Sequence, residues 1–267
     1  MNPRAVSRWA LASSLVGNTA LEAWDSVLGL YAVFVRTLYF MARGKRERGD
    51  TLKQMYVIGN RSLSFLCVTM GFIGMILVFQ AGTQTKRILP EFGMLGAAFT
   101  ELLVRDLAAS IGGLMLATRV GAGIAAEIGS MVVTEQVDAL RMSGADPVDF
   151  LIVPRFVASL IMTTVLIVLG GLVAFLTGMV TAWAFFDVRF DIFANLQLVD
   201  AGDLIVGLTK CLTYGAAIPL VSGYAGLSTS GGSEGVGQAT TRAVVNSSLA
   251  ILVLNLIISA TGFVVFR

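Results

Sequence analysis

Four long runs without a charged residue constrain this chain more than any other feature of its sequence. They cover residues 62–85, 156–186, 211–233 and 243–266. Each run reaches the length of about 20 apolar residues that a membrane-spanning helix needs. Only 13% of the residues are charged, whereas soluble domains carry roughly 25%. The sequence therefore predicts an all-α membrane protein that folds as one membrane domain.

Two further segments are apolar but carry charges. Residues 96–120 contain Glu101, Arg105 and Asp106, which lie close together on a helix. We expect these charges to neutralise one another in part, and we count the segment as a fifth span. Residues 20–41 place charged and apolar side chains on different helical faces, which is typical of an amphipathic helix in the membrane interface. A sixth span is the alternative, although the charges there leave no run of about 20 residues.

Basic residues near the ends of the spans predict the orientation. Seven of them precede the first span: Arg36, Arg43, Lys45, Arg46, Arg48, Lys53 and Arg61. Because Lys and Arg are enriched on the cytoplasmic side, we expect a cytoplasmic N-terminus, although Lys86 and Arg87 run against this rule. With five spans, residues 121–154 are then cytoplasmic, and residues 187–203 and Arg267 lie outside. No cleavable signal peptide is expected, since no compact apolar region precedes a small-residue cleavage site.

Several functions are excluded by composition and motifs. Histidine is absent, which removes histidine-based zinc sites and Ser-His catalysis, and no GxxxxGK[ST] phosphate loop occurs. We therefore expect no cofactor in this chain and no ATP hydrolysis by it. A net charge of +2 gives no sign of nucleic-acid binding. Cys67 and Cys211 lie inside apolar runs, where a disulfide framework is not expected.

The segment between spans two and three is the most informative part of the chain. It predicts a helix that ends near Gly144, after which Asp146 as N-cap and Pro147 as first helical residue begin the next helix. A connection of 228–237, rich in glycine and serine, is expected between the last two spans. The charged helix before Gly144 is either a solvated surface helix or a docking element for a soluble partner.

The residues of this segment resemble a known family. AAEIGSMVVTEQVDALRMSGADPVDFLIVPR, with RVGAG before it and ATTRAVVNSSLAIL later, is similar to the MlaE/YrbE permeases associated with Mce-type lipid transport. The similarity extends from about residue 52 to the C-terminus. It divides the chain into an N-terminal cytoplasmic or interfacial amphipathic segment, residues 1–50, and a permease domain, residues 51–267.

This resemblance implies a fold and a set of partners. The fold is an interfacial helix and five spans per subunit, with a cytoplasmic coupling helix between spans two and three. The implied partners are a second permease subunit in a homodimer, cytoplasmic ABC ATPases that bind ATP and Mg, an Mce-domain periplasmic protein, a small STAS-domain protein and phospholipid. Residues 127–140 would form the coupling helix that sits in a groove of the ATPase. Its candidate contact residues are Glu127, Glu135, Gln136, Asp138, Leu140 and Arg141.

The charges inside the spans have two interpretations. Glu101, Arg105 and Asp106 form either a structural ion cluster or the lining of a polar opening for lipid head groups. The family pattern at this place is Arg-Glu-Leu-Gly-Pro, whereas this chain has RDLAA. Lys210 either attracts a phosphate or pairs with Asp106, or else extends to the outer surface. Asn255 stands where some relatives have an acid.

The first span carries the other candidate cavity residues. Small residues such as Gly71 and Gly74 favour close helix packing. The resemblance places this span beside the dimer axis and a lipid cavity, which makes Leu77, Gln80 and Gln84 candidate lipid contacts.

The predicted function is the permease subunit of an ABC transporter in the bacterial cytoplasmic membrane. It would move phospholipids or related hydrophobic molecules between that membrane and an Mce-type carrier. One alternative is an ion-coupled secondary transporter that uses Glu101, Asp106 and Lys210 as a relay. The other is a non-transporting scaffold for the lipid carrier.

Overall fold

A computed structural model describes residues 21, 24, 26–43, 48–88 and 93–266. The predicted first part of the amphipathic segment lies outside the described residues, as do the basic residues Lys45 and Arg46 and the C-terminal Arg267.

The described residues form eight helices and no β-strand. In chain order these are α1 Ser26–Arg43, α2 Arg48–Ile88, α3 Leu95–Val133, α4 Gln136–Met142, α5 Val148–Phe186, α6 Phe190–Phe193, α7 Ala201–Leu227 and α8 Gly232–Val265.

Six helices, all except α4 and α6, are long and apolar enough to cross a membrane, judged by length and composition. The predicted all-α membrane fold with an N-terminal helix is thus confirmed. α1 has only 18 residues and the lowest mean hydropathy of the six, 1.2. Its Gly29 packs against Tyr224, and its Arg36 lies 3.9 Å from Asp146. These contacts fall at one end of the bundle, as expected for a helix lying along that end, and the interfacial position of α1 stays a prediction.

The spanning helices pack through small residues. α2 and α5 make the most extensive contact, and a Cβ atom added to Gly74 would overlap the backbone of Ala174. Beside this close approach, the hydroxyl of Thr177 donates a hydrogen bond of 2.9 Å to the carbonyl of Gly71. Without a hydrophobic force between helices in lipid, such close packing and interhelical hydrogen bonds hold the bundle together.

The two ends of the bundle carry different short helices. We name them the α4 end and the α6 end after the helix that each carries. α2, α5 and α8 run from the α4 end to the α6 end, and α3 and α7 run back. One predicted connection is wrong in extent: residues 228–231, and not 228–237, connect α7 to α8. Gly231 and Gly232 have φ of 89° and 72°, which glycine adopts without strain, so this short turn suffices.

Candidate functional site

A cluster of polar side chains lies between α3, α7 and α8 in the spanning part of the bundle. Its α3 members occur where the helix departs from α geometry, since Leu103–Leu107 forms a π-helical turn. π-Helical turns are rare in proteins, and those that occur often lie at functional sites. This turn carries Arg105 and Asp106, and both of them pair with residues of α7.

Lys210 and Asp106 form the central ion pair. Lys210 is fully buried, and its Nζ donates a hydrogen bond to the carboxylate of Asp106. The same carboxylate accepts a hydrogen bond of 3.0 Å from the hydroxyl of Ser110. The Asp106 side chain is 37% exposed, so only one partner of the pair is accessible. Lys210 thus pairs with Asp106, which was one of the predicted alternatives. The alternative that Lys210 extends to the outer surface is wrong, because its side chain is fully buried.

Arg105 pairs with the first turn of α7. Its Nη1 lies 3.2 Å from Oδ1 of Asp203, whose side chain is only 8% exposed. Asp203 also accepts a hydrogen bond from the backbone N–H of Asp200, within a capping box that starts α7. The Asp203 carboxylate therefore both stabilises the start of α7 and neutralises Arg105.

The predicted mutual neutralisation of Glu101, Arg105 and Asp106 is wrong. Neighbouring residues on a helix do not face each other, so Arg105 and Asp106 each find a partner on α7 instead. Among the residues that the structure describes, Glu101 takes part in no ion pair.

Asn255 of α8 belongs to the same region. Its Oδ1 accepts a hydrogen bond of 3.1 Å from the hydroxyl of Tyr214, which is fully buried in α7. A neutral amide satisfies this hydroxyl without adding a charge to the membrane interior.

The three candidates of the first span line one open cavity between α2 and α3, toward the α6 end. Its volume is about 470 Å³, and Leu77, Gln80 and Gln84 of α2 face Leu102 and Leu107 of α3 across it. Leu107 follows Asp106 in the π-helical turn. The cavity is therefore mostly apolar, with two amides on one wall, and the Asp106–Lys210 pair is not part of its lining.

The predicted coupling helix is two helices. α3 continues through Glu127 to Val133, and the chain turns at Thr134 and Glu135 before α4 begins. A single helix over 127–140 is therefore wrong. Three β-branched residues, Val132 to Thr134, weaken the helix before the turn. Glu135 has φ of 60°, a left-handed conformation that is uncommon outside glycine.

α4 presents a polar surface at its end of the bundle. Val137 is buried and Leu140 is partly buried, and these side chains hold the helix to the bundle. The other candidates are exposed: Glu135, Gln136, Asp138 and Arg141. The Arg141 guanidinium lies 3.1 Å from the Asp138 carboxylate. The predicted start of the next helix is confirmed, since the carboxylate of Asp146 accepts a hydrogen bond of 2.8 Å from the N–H of Val148.

The chain is similar to proteins described as transporter permeases. Residues 51–261 match the family of permease MlaE. A probable ABC transporter permease protein of Rickettsia typhi is 37% identical over 256 residues, covering 94% of this chain and 97% of the relative. One of Synechocystis is 36% identical over 246 residues, covering 90% and 92%. The chain belongs to the MlaE permease family. It is thus an ABC transporter permease subunit, a multi-pass membrane protein.

A plant protein is also similar to this MlaE permease. The Arabidopsis thaliana protein TRIGALACTOSYLDIACYLGLYCEROL 1, chloroplastic, is 34% identical over 230 residues, which cover 83% of this chain and 63% of the relative.

Sequence reasoning missed three residues of the MlaE permease that matter in its site. Asp203, Tyr214 and Arg155 are each almost fully buried and each bind a candidate residue or its neighbour. The available signal for Arg155 was its position directly before the uncharged run of residues 156–186, and for Asp203 it was an acid seven residues before Lys210, on the same helical face. No signal in the sequence indicates the partner of Tyr214.

Proposed function

We propose that this MlaE permease moves phospholipids or related hydrophobic molecules between the cytoplasmic membrane and an Mce-type periplasmic carrier. ATP and Mg would bind to a separate cytoplasmic ATPase, whose closure reshapes a cavity in the permease. The observation that carries this proposal is the cavity of Leu77, Gln80 and Gln84, an apolar space with amides on one wall. Acyl chains fit the apolar part of such a space, and amides can bind polar head groups.

The Asp106–Lys210 pair would serve the same pathway. Its carboxylate is partly exposed, while its ammonium group is buried. A lipid phosphate that enters from the π-helical turn could compete with Asp106 for Lys210, because phosphate and carboxylate bind the same ammonium group. Glu101 and Arg105, on the same helix, complete the proposed polar opening.

The name of the Arabidopsis thaliana relative supports a lipid substrate. It contains the name of a glycolipid with a diacylglycerol anchor. Two acyl chains with a polar head group match the combination of apolar and polar lining in the cavity.

The proposed assembly is a homodimer with ATPases at the α4 end. The exposed polar side chains of α4 support docking of a soluble protein there. Large apolar side chains of α8, such as Leu252 and Leu256, are exposed along its length, and a second permease subunit would cover part of them. The Mce-domain protein would bind at the α6 end, and a STAS-domain protein would join the ATPases.

The proposed orientation places the α4 end in the cytoplasm, in a bacterial cytoplasmic membrane with the N-terminus inside. The basic residues Lys53 and Arg61 at the start of α2 support this orientation.

Copurification with the native partners tests the proposal. We expect the ATPase and bound phospholipid to be recovered with the permease and identified by mass spectrometry. ATP hydrolysis that rises when the permease is present would separate a transporter from a scaffold. Lipid movement that follows an ion gradient and ignores ATP would instead support a secondary transporter.

A further inference from the structure

A second cavity, with a polar lining, lies between α2 and α3, nearer the α4 end than the Asp106–Lys210 pair. Its volume is about 70 Å³, and its polar lining consists of Gln54, Arg61, Ser62, Arg119 and Glu127. A water molecule occupies about 30 Å³ of liquid. The cavity is thus suited to a small polar group such as a phosphate, and not to a whole lipid.

The positive charges of this cavity exceed the negative ones. Neither Arg61 nor Arg119 has an acidic partner among the residues that the structure describes. Glu127 is the acid in the lining, and its carboxylate is already bound by Arg155 at 3.3 Å. The lining therefore carries two guanidinium groups, those of Arg61 and Arg119, that this carboxylate does not bind.

Ser62 adds a hydroxyl donor to the same cavity. The residue is only 2% exposed, and it lines the cavity beside Arg61 and Arg119. Guanidinium groups bind phosphate with two parallel hydrogen bonds, which makes arginine the usual residue for this recognition. Arg61, Arg119 and Ser62 thus bring donors for an anion to one cavity, and the two arginines have no acidic partner among the described residues.

The positions of Arg61 and Arg119 along their helices indicate which anion could reach them. At about 1.5 Å per residue, Arg61 lies about 40 Å from the end of α2, and Arg119 lies about 36 Å from the start of α3. Both of those helix termini are at the α6 end. With those termini at the opposite face of a hydrocarbon core about 30 Å thick, both guanidinium groups reach the head-group level of the leaflet at the α4 end. Arg61 also directly precedes the uncharged run of residues 62–85, as expected at that level.

We propose that Arg61 and Arg119 bind the phosphate of an anionic lipid from the leaflet at the α4 end, with Ser62 as a further donor. This site goes beyond the transport function, because it needs neither ATP nor a partner subunit. It lies apart from the cavity of Leu77, Gln80 and Gln84, which is lined by residues nearer the α6 end.

Binding of phosphatidylglycerol to the purified full chain in nonionic detergent tests the proposal, with native mass spectrometry as the readout. The variant is Arg61→Gln with Arg119→Gln, and the matched control is Arg242→Gln, an exposed arginine of α8 that does not line this cavity. We expect the tightest lipid site to weaken about tenfold or more in the double variant and to stay unchanged in the control. Inorganic phosphate at the same concentration should not displace the lipid.

Three results would overturn the proposal: unchanged lipid binding in the double variant, an equal loss in Arg242→Gln, or displacement of the lipid by inorganic phosphate. The last result would indicate a site for soluble anions. If the double variant does not fold, Arg61→Lys with Arg119→Lys replaces it. Retained charge without the planar guanidinium groups should still weaken binding, and undiminished binding would contradict the proposal.

Discussion

The guanidinium group of Arg155 lies 3.3 Å from the carboxylate of Glu127 and joins the start of α5 to the last third of α3. The Arg155 side chain is 7% exposed, whereas that of Glu127 is 44% exposed. A second hydrogen bond, of 2.8 Å, runs from Arg155 to the backbone carbonyl of Leu151. Because α4 lies between α3 and α5 in the chain, the ion pair holds together the two helices that flank α4.

Glu127→Gln should destabilise the permease, because it leaves the buried guanidinium of Arg155 without its counter-charge. We expect a loss of about 1 to 3 kcal/mol, measured as a lower melting temperature in detergent. Glu234→Gln is the matched control, since Glu234 is exposed at the start of α8 and has no ion pair among the described residues. Equal melting temperatures for the two variants would show that the Arg155–Glu127 ion pair does not stabilise the helices that flank α4.

Glu135→Lys together with Asp138→Lys should release the ATPase and leave the permease inserted, because the exposed face of α4 changes sign. Glu135 already has φ of 60°, so lysine meets the same backbone requirement and adds little strain. Pull-down of the ATPase is the measurement. Asp191→Lys, an exposed acid at the α6 end, is the control. Full recovery of the ATPase with the double variant would show that α4 does not carry the contact.

The spans could be predicted because bilayer thickness imposes a minimum length on an uncharged run. The turn at Thr134 and Glu135 could not, because neither glycine nor proline interrupts the sequence there. The pattern from Gly129 to Arg141 is compatible with one helix or two. Tertiary packing of Val137 decides between them by fixing α4 against the bundle.

Single cysteines at both ends of the bundle should establish the orientation. Gly144 is unsuitable because its φ of 80° favours glycine, so we choose Met142, which is 85% exposed, and Gln197, which is exposed beyond α6. The background lacks Cys67 and Cys211. In intact cells, only the Gln197→Cys variant should react with an impermeant thiol reagent. Labelling of Met142→Cys instead would invert the proposed topology.

The ion pair inside the membrane should respond unequally to loss of its two partners. Asp106→Asn leaves a fully buried ammonium group unpaired and should cost about 3 to 5 kcal/mol. Lys210→Met leaves a carboxylate that is partly exposed, so its stability loss should be smaller. The double variant should recover stability, because no buried charge stays unpaired. Melting temperatures in detergent distinguish these outcomes.

Transport by the double variant separates the two interpretations of the pair. We expect Asp106→Asn with Lys210→Met to fold and bind the ATPase but to move no lipid. Normal lipid movement by this variant would make the pair a structural feature only.

The candidate site was predictable in part. Ionisable residues in a span are rare and need partners, and this requirement singles out Asp106 and Lys210 from the sequence alone. The choice of partner depends on how helices rotate against one another, and sequence spacing does not reveal it. Arg105 accordingly pairs with Asp203, which is 98 residues away in the chain.

ATP-driven lipid transfer from reconstituted vesicles tests the central claim most directly. The vesicles contain the permease with its ATPase and a labelled phospholipid, and the Mce-type carrier is supplied on the side of the α6 end. We predict transfer between vesicle and carrier that requires ATP hydrolysis and is abolished by the α4 double variant. ATP hydrolysis without lipid movement, or equal transfer with a non-hydrolysable ATP analogue, would contradict the assignment as a lipid-transporting ABC permease.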